Sequence, residues 1–85
     1  MIKLTNAYLD IDIGSISTKG VIIDEDNNIL ASSYLWTKGN PVGAVKEVLY
    51  VLKSKIKDVK IVGVDTTGSA RKLIGTMLGA NIIKN

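Results

Sequence analysis

Residues 7–13, AYLDIDI, alternate so strictly that one conformation accounts for them. Successive side chains of a β-strand point to opposite faces, so Leu9, Ile11 and Ile13 line one face while Asp10 and Asp12 fall on the other. Acids are depleted in strands, and two in one strand ask for more than a solvated surface. Gly14 then ends the strand, and Ser15, Ser17, Thr18 and Lys19 follow within five residues. A glycine lets the backbone come close to a ligand. Hydroxyls and successive N–H groups in a turn can cradle an anion. Lys19 brings a compact charge for a phosphate, and Asp12 is placed to hold Mg²⁺, through water because that ion keeps much of its hydration shell. The same letters also fit a polar hairpin whose charges lie in solvent, since Ser and Thr are ordinary turn residues.

The remaining segments tell what this strand pairs with. Lys19–Asp24 reads as a second strand around VII, and residues 24–28, DEDNN, supply side chains that tolerate a tight turn. Ile29–Thr37 reads as a third strand. Asn40-Pro41 is a helix start, because Asn caps and proline suits the first helical position. Val42, Val45, Val48, Leu49, Leu52 and Ile56 then recur at helical spacing on one face, which is core and not an acyl-binding groove. Val59–Val64 is a fourth strand, followed by DTTGS. Ala70–Leu78 is expected to be a second helix stopped by Gly79, and NIIKN opens a fifth strand. The order β-β-β-α-β-α-(β) predicts an α/β fold. Its mixed sheet has an antiparallel meander, and its fourth strand lies parallel to the first by the right-handed crossover rule.

At 85 residues the chain is one small domain at most. It is read as a single partial domain over 1–85, the N-terminal part of something larger. An incomplete fifth strand at the edge predicts self-association. Cysteine is absent, which excludes disulfides, a thiolate metal site and a thiol nucleophile. The net charge of +3 is uneven, with eight bases and three acids in residues 46–85. Lys46, Lys53, Lys55 and Lys57 share one amphipathic segment without interleaved aromatics, so they read as a solvated helix face and not a nucleic-acid site. No signal-peptide pattern opens the chain and no apolar run approaches the ~18 residues of a membrane span, so the expected address is cytoplasmic.

Known phosphate and metal motifs discriminate further. A Walker A loop needs Gly-Lys-Ser/Thr, whereas the order here is Thr18-Lys19-Gly20. An EF-hand starting at Asp10 needs glycine and glutamate where Ser15 and Val21 stand. Asp10-Ile11-Asp12 resembles the Asp-x-Asp of haloacid-dehalogenase phosphatases, in which the first Asp is the nucleophile, although Gly14 replaces the Thr or Val usual there.

Asp12, Gly14, Ser15, Thr18 and Lys19 follow in register the pattern Asp-x-Gly-Ser/Thr-x-x-Ser/Thr-Lys. In this the chain resembles the actin, Hsp70 and sugar-kinase ATPase superfamily, and the element order matches that fold's repeating half. Within it, residues 8–85 look like the BadF/BadG/BcrA/BcrD group of CoA-substrate-specific enzyme activases. That group tends to show Thr-Gly-x-Gly-Arg after the fourth strand, where Thr67, Gly68 and Arg71 match and Ala70 departs; Asp10 departs too, where glycine is usual. The resemblance implies a ribonuclease-H-like half-domain. It implies ATP phosphates on Gly14, Ser15, Ser17, Thr18 and Lys19, Mg²⁺ at Asp12, and further contacts from Thr67, Gly68 and Arg71. It names no catalytic residue. A complete activase is implied to be a homodimer that hydrolyses ATP while passing an electron to a 2-hydroxyacyl-CoA dehydratase. Its iron–sulfur cluster is held between subunits by cysteines of a later half, so none is expected in this chain. The alternatives are a sugar or acid kinase of the same superfamily, a phosphatase fragment, or a nonenzymatic remnant acting by subunit pairing. The TTGSAR segment keeps a second reading, in which Asp65 or Ser69 caps the next helix and Arg71 is surface charge.

Overall fold

The computed structural model describes residues 3–68. Their elements are β1 (Thr5–Ile13), β2 (Ser17–Asp24), β3 (Ile29–Trp36), α1 (Pro41–Lys55) and β4 (Val59–Gly68). They form an α/β unit: one mixed four-stranded sheet in the order β3-β2-β1-β4, with α1 packed on one face. The meander pairs β1 with β2 and β2 with β3 antiparallel, and the crossover through α1 sets β4 parallel to β1, as the element order predicts. The expected second helix at 70–78 and fifth strand at 81–85 lie outside the described residues.

Alternation in β1 does what its letters dictate. Ala7, Leu9, Ile11 and Ile13 are buried under the helix side, and Asp10 and Asp12 stand on the open face. From the helix come Val45, Val48 and Leu52, all essentially without solvent contact. Each such aliphatic side chain contributes roughly 1.5–3 kcal/mol by leaving water. Gly20 makes this packing close. A Cβ built there would stand 2.6 Å from Val48 Cγ1 and 2.9 Å from Leu52 Cδ1, so α1 approaches β2 at the one residue without a side chain.

The helix begins at its predicted cap: the Asn40 side chain accepts from the Gly43 N–H at 3.1 Å, and Pro41 follows at the first position. It ends at Lys55, one residue before the expected Ile56, which is already extended. Lys46, Lys53, Lys55 and Lys57 are exposed, and Lys55 Nζ donates to the Ser32 carbonyl at 2.9 Å. The β2–β3 turn is held by Asp24, whose Oδ1 accepts the N–H groups of Asp26 and Asn28 at 2.8 and 2.9 Å. Its Oδ2 accepts the Asn28 amide, and Asn27 takes the left-handed conformation at φ 65°.

Each strand differs from the expectation at one end: β1 starts at Thr5 instead of residue 7, and β3 stops at Trp36, one residue short of Thr37. β2 starts at Ser17, two residues before Lys19. β4 runs on to Gly68 instead of stopping at Val64. The letters DTTG favour a turn taken alone, but β1 offers a ladder as far as Ile13, opposite Gly68, and β-branched threonines suit it. Asp65 therefore sits inside a strand and caps no helix.

Candidate functional site

The carboxyl ends of β1 and β4 lie side by side, and in open α/β sheets that end is where ligands gather. Across it, register makes a row on the open face: Tyr34 opposite Lys19, Lys19 opposite Asp12, and Asp12 opposite Thr67. The Thr67 hydroxyl donates to Asp12 Oδ1 at 3.1 Å. Asp12 Oδ2 and the Lys19 ammonium have no partner among the described residues. A second row, Val21, Asp10 and Asp65, lies one step further from the strand ends. Among the described residues no three carboxylates converge as metal ligands.

The Gly14–Ser17 turn closes the β1–β2 hairpin beside this row. Gly14 N–H donates to the Ser17 carbonyl at 2.9 Å. A Cβ on Gly14 would stand 2.7 Å from that same oxygen, so the tightness of the turn requires glycine. Ser15 and Ile16 are exposed, and their N–H groups have no partner among the described residues. Neither do the hydroxyls of Ser15 and Ser17. These free donors are what an anion would need, while the Gly14 N–H is already spent within the turn.

Thr18 behaves differently from the expectation. It is fully buried, and its Oγ1 lies 2.9 Å from Thr37 Oγ1. As residue two of the β2 alternation it faces the helix side, so its hydroxyl cannot reach a ligand on the open face. Gly68 is likewise committed to structure. It has φ +94°, and a Cβ there would overlap the Ile13 carbonyl oxygen. It ends a strand packed on β1 and is not part of an open loop. Arg71 lies outside the described residues.

The structure thus brings together Asp12, Gly14, Ser15, Ser17, Lys19 and Thr67. It also adds Thr37, which the sequence reading took as the plain end of a strand. A threonine after a strand carries no local signal, and only the contact with a turn 20-odd residues earlier reveals its part. Gly20 could have been found, because a glycine inside a strand pattern marks a close approach. No family model, no curated protein and no solved structure matches this chain.

Proposed function

We propose that this chain is the N-terminal, phosphate-binding part of an ATPase with the ribonuclease-H-like half-domain of the actin, Hsp70 and sugar-kinase superfamily, and that its parent activates a CoA-substrate enzyme such as a 2-hydroxyacyl-CoA dehydratase. The observation that carries the reading is the row Lys19–Asp12–Thr67 at the strand ends, next to a turn with two unpartnered N–H groups. The sheet order β3-β2-β1-β4 with a helical crossover into β4 supports it.

In this reading Lys19 offsets phosphate charge, and the Ser15 and Ile16 N–H groups hold phosphate oxygens. Thr67 fixes the rotamer of Asp12 by donating to Oδ1, which leaves Oδ2 to bind water around Mg²⁺. A lone carboxylate suits an ion that keeps most of its waters and takes other ligands from phosphate. When bound, Mg²⁺ would neutralise charge building on the phosphates. A dehydratase, a second subunit and an iron–sulfur cluster belong to the parent, which is placed in the cytoplasm. No helix among the described residues is long and apolar enough to cross a membrane.

The test is ATP turnover by the parent protein. Asp12→Ala and Lys19→Ala are each expected to cut the rate on the order of 10²–10³-fold, the usual cost of removing a preorganised electrostatic group. Circular dichroism should stay unchanged, because both side chains are exposed. Undiminished turnover in Asp12→Ala would refute the assignment. A phosphatase would respond the other way, with Asp10→Ala fatal and Lys19→Ala mild.

A further inference from the structure

Thr18 and Thr37 are the buried polar side chains among the described residues, at 0% and 4% exposure. Buried hydroxyls are retained only if they are satisfied, and these are satisfied in a directed way. Thr37 Oγ1 donates its one proton to the Gly14 carbonyl at 2.8 Å, so the 2.9 Å contact with Thr18 must have Thr18 as donor. The Thr37 N–H donates to the Ile16 carbonyl at 2.7 Å, and the Thr37 carbonyl accepts from the N–H of Asn40, the cap of α1, at 3.0 Å. One residue therefore holds two carbonyls of the β1–β2 turn and ties them to the start of the helix.

Peptide planarity turns this into a statement about donors. The Gly14 carbonyl and the Ser15 N–H belong to one trans peptide and point in opposite directions. With that carbonyl drawn inward onto a buried hydroxyl, the Ser15 N–H is aimed outward, where it has no partner among the described residues. We propose that Thr37 is a positioning residue for the phosphate site: its hydroxyl sets the Gly14–Ser15 peptide so that the turn presents the Ser15 N–H to an anion. This rests on the phosphate reading given above, and the anion concerned is a phosphate oxygen of a nucleotide or of pyrophosphate. A preorganised donor binds without first losing conformational freedom, so the hydroxyl acts on affinity although it never touches the ligand.

The experiment uses the 85-residue chain labelled with ¹⁵N, with pyrophosphate as the probe, and compares wild type with Thr37→Val, Thr37→Ser and Thr18→Val. In wild type, pyrophosphate should shift the Ser15 and Ile16 amide signals. Thr37→Val, nearly the same shape without the hydroxyl, should weaken that response about tenfold, the scale of one lost hydrogen bond. Thr37→Ser should restore it. Without any ligand, Thr37→Val should also speed hydrogen exchange at the Gly14 amide about tenfold while leaving the Leu9 and Val48 amides unchanged, a separation that general destabilisation would not give. Unchanged Gly14 exchange and unchanged pyrophosphate response in Thr37→Val would overturn the proposal. If Thr37→Val does not fold, Thr37→Ala, which also lacks the hydroxyl, decides on the same two readouts. A weaker pyrophosphate response with faster Gly14 exchange supports the role of Thr37, and no change in either overturns it, while Thr18→Val, which keeps the Thr37–Gly14 bond, should respond like wild type. A wild-type chain indifferent to pyrophosphate would overturn the phosphate reading and the site role with it. Faster Gly14 exchange would then show only that Thr37 holds the turn.

Discussion

Gly20 carries a packing constraint that can be measured directly. Its missing side chain is the space into which Val48 and Leu52 descend, and a Cβ would also lie 3.0 Å from Ile11 Cδ1. Gly20→Ala gains some strand propensity, about 0.5–1 kcal/mol. It must also push apart three side chains that have no exposed end to move, and overpacking of this kind costs typically 1–3 kcal/mol. The expected net effect is a loss of about 1–2 kcal/mol, read from the urea midpoint at constant m-value. At Asp24 the chemistry is ionic. Hydrogen bonds from the Asn28 side chain, the Asn28 backbone and the Asp26 backbone hold its carboxyl below the ordinary value of 3.8. A depressed folded pKa stabilises the fold above the unfolded value, and that contribution is lost as pH falls from 3.8 through the folded value. Urea midpoints should therefore fall more steeply below pH 4 in wild type than in Asp24→Asn. Parallel acid limbs would show that the turn draws nothing from the charge.

At the scale of elements, α1 depends on its first turn. Asn40 satisfies the Gly43 N–H, and no acidic residue in that turn assists it. Asn40→Ala is expected to cost about 1 kcal/mol, visible in the same denaturation series, and Asn40→Asp should keep most of the stability. This cap, the four strands and the parallel crossover were legible in the letters, because each rests on local rules: period-two alternation, a cap with proline behind it, a turn of acids and amides. The extension of β4 was not, since whether DTTG pairs depends on how far β1 runs beside it. Site residues divide in the same way. Asp12 could be placed on the open face from alternation alone, whereas the side taken by Lys19 and the burial of Thr18 follow only once the start of β2 and its register against β1 are known. Thr37 needed the fold, because its partners come from a hairpin it follows at a distance.

At the scale of the whole molecule, α1 is the one element among the described residues that packs on a face of the sheet. The other face carries Asp10, Asp12, Lys19 and Asp65 in the open, with Tyr8 and Tyr34 at 40% and 63% exposure. On the proposed reading such a surface would hold phosphate without enclosing it, and phosphoryl transfer needs water excluded around the reacting atoms. The 85-residue chain is therefore expected to hydrolyse no ATP above buffer background, even where pyrophosphate shifts its turn amides. A colorimetric phosphate assay checks this, and turnover abolished by Lys19→Ala would overturn it. Trp36 gives these experiments a built-in optical reporter. It is the chain's single tryptophan, 58% exposed, one residue before Thr37 and opposite Ser17 across the strand pair. An indole already so wet should change colour little on global unfolding, yet it sits within reach of any rearrangement of the turn. Emission that shifts at low denaturant, ahead of the circular dichroism, would record the hairpin tip letting go of the helix start while the sheet beneath it still stands.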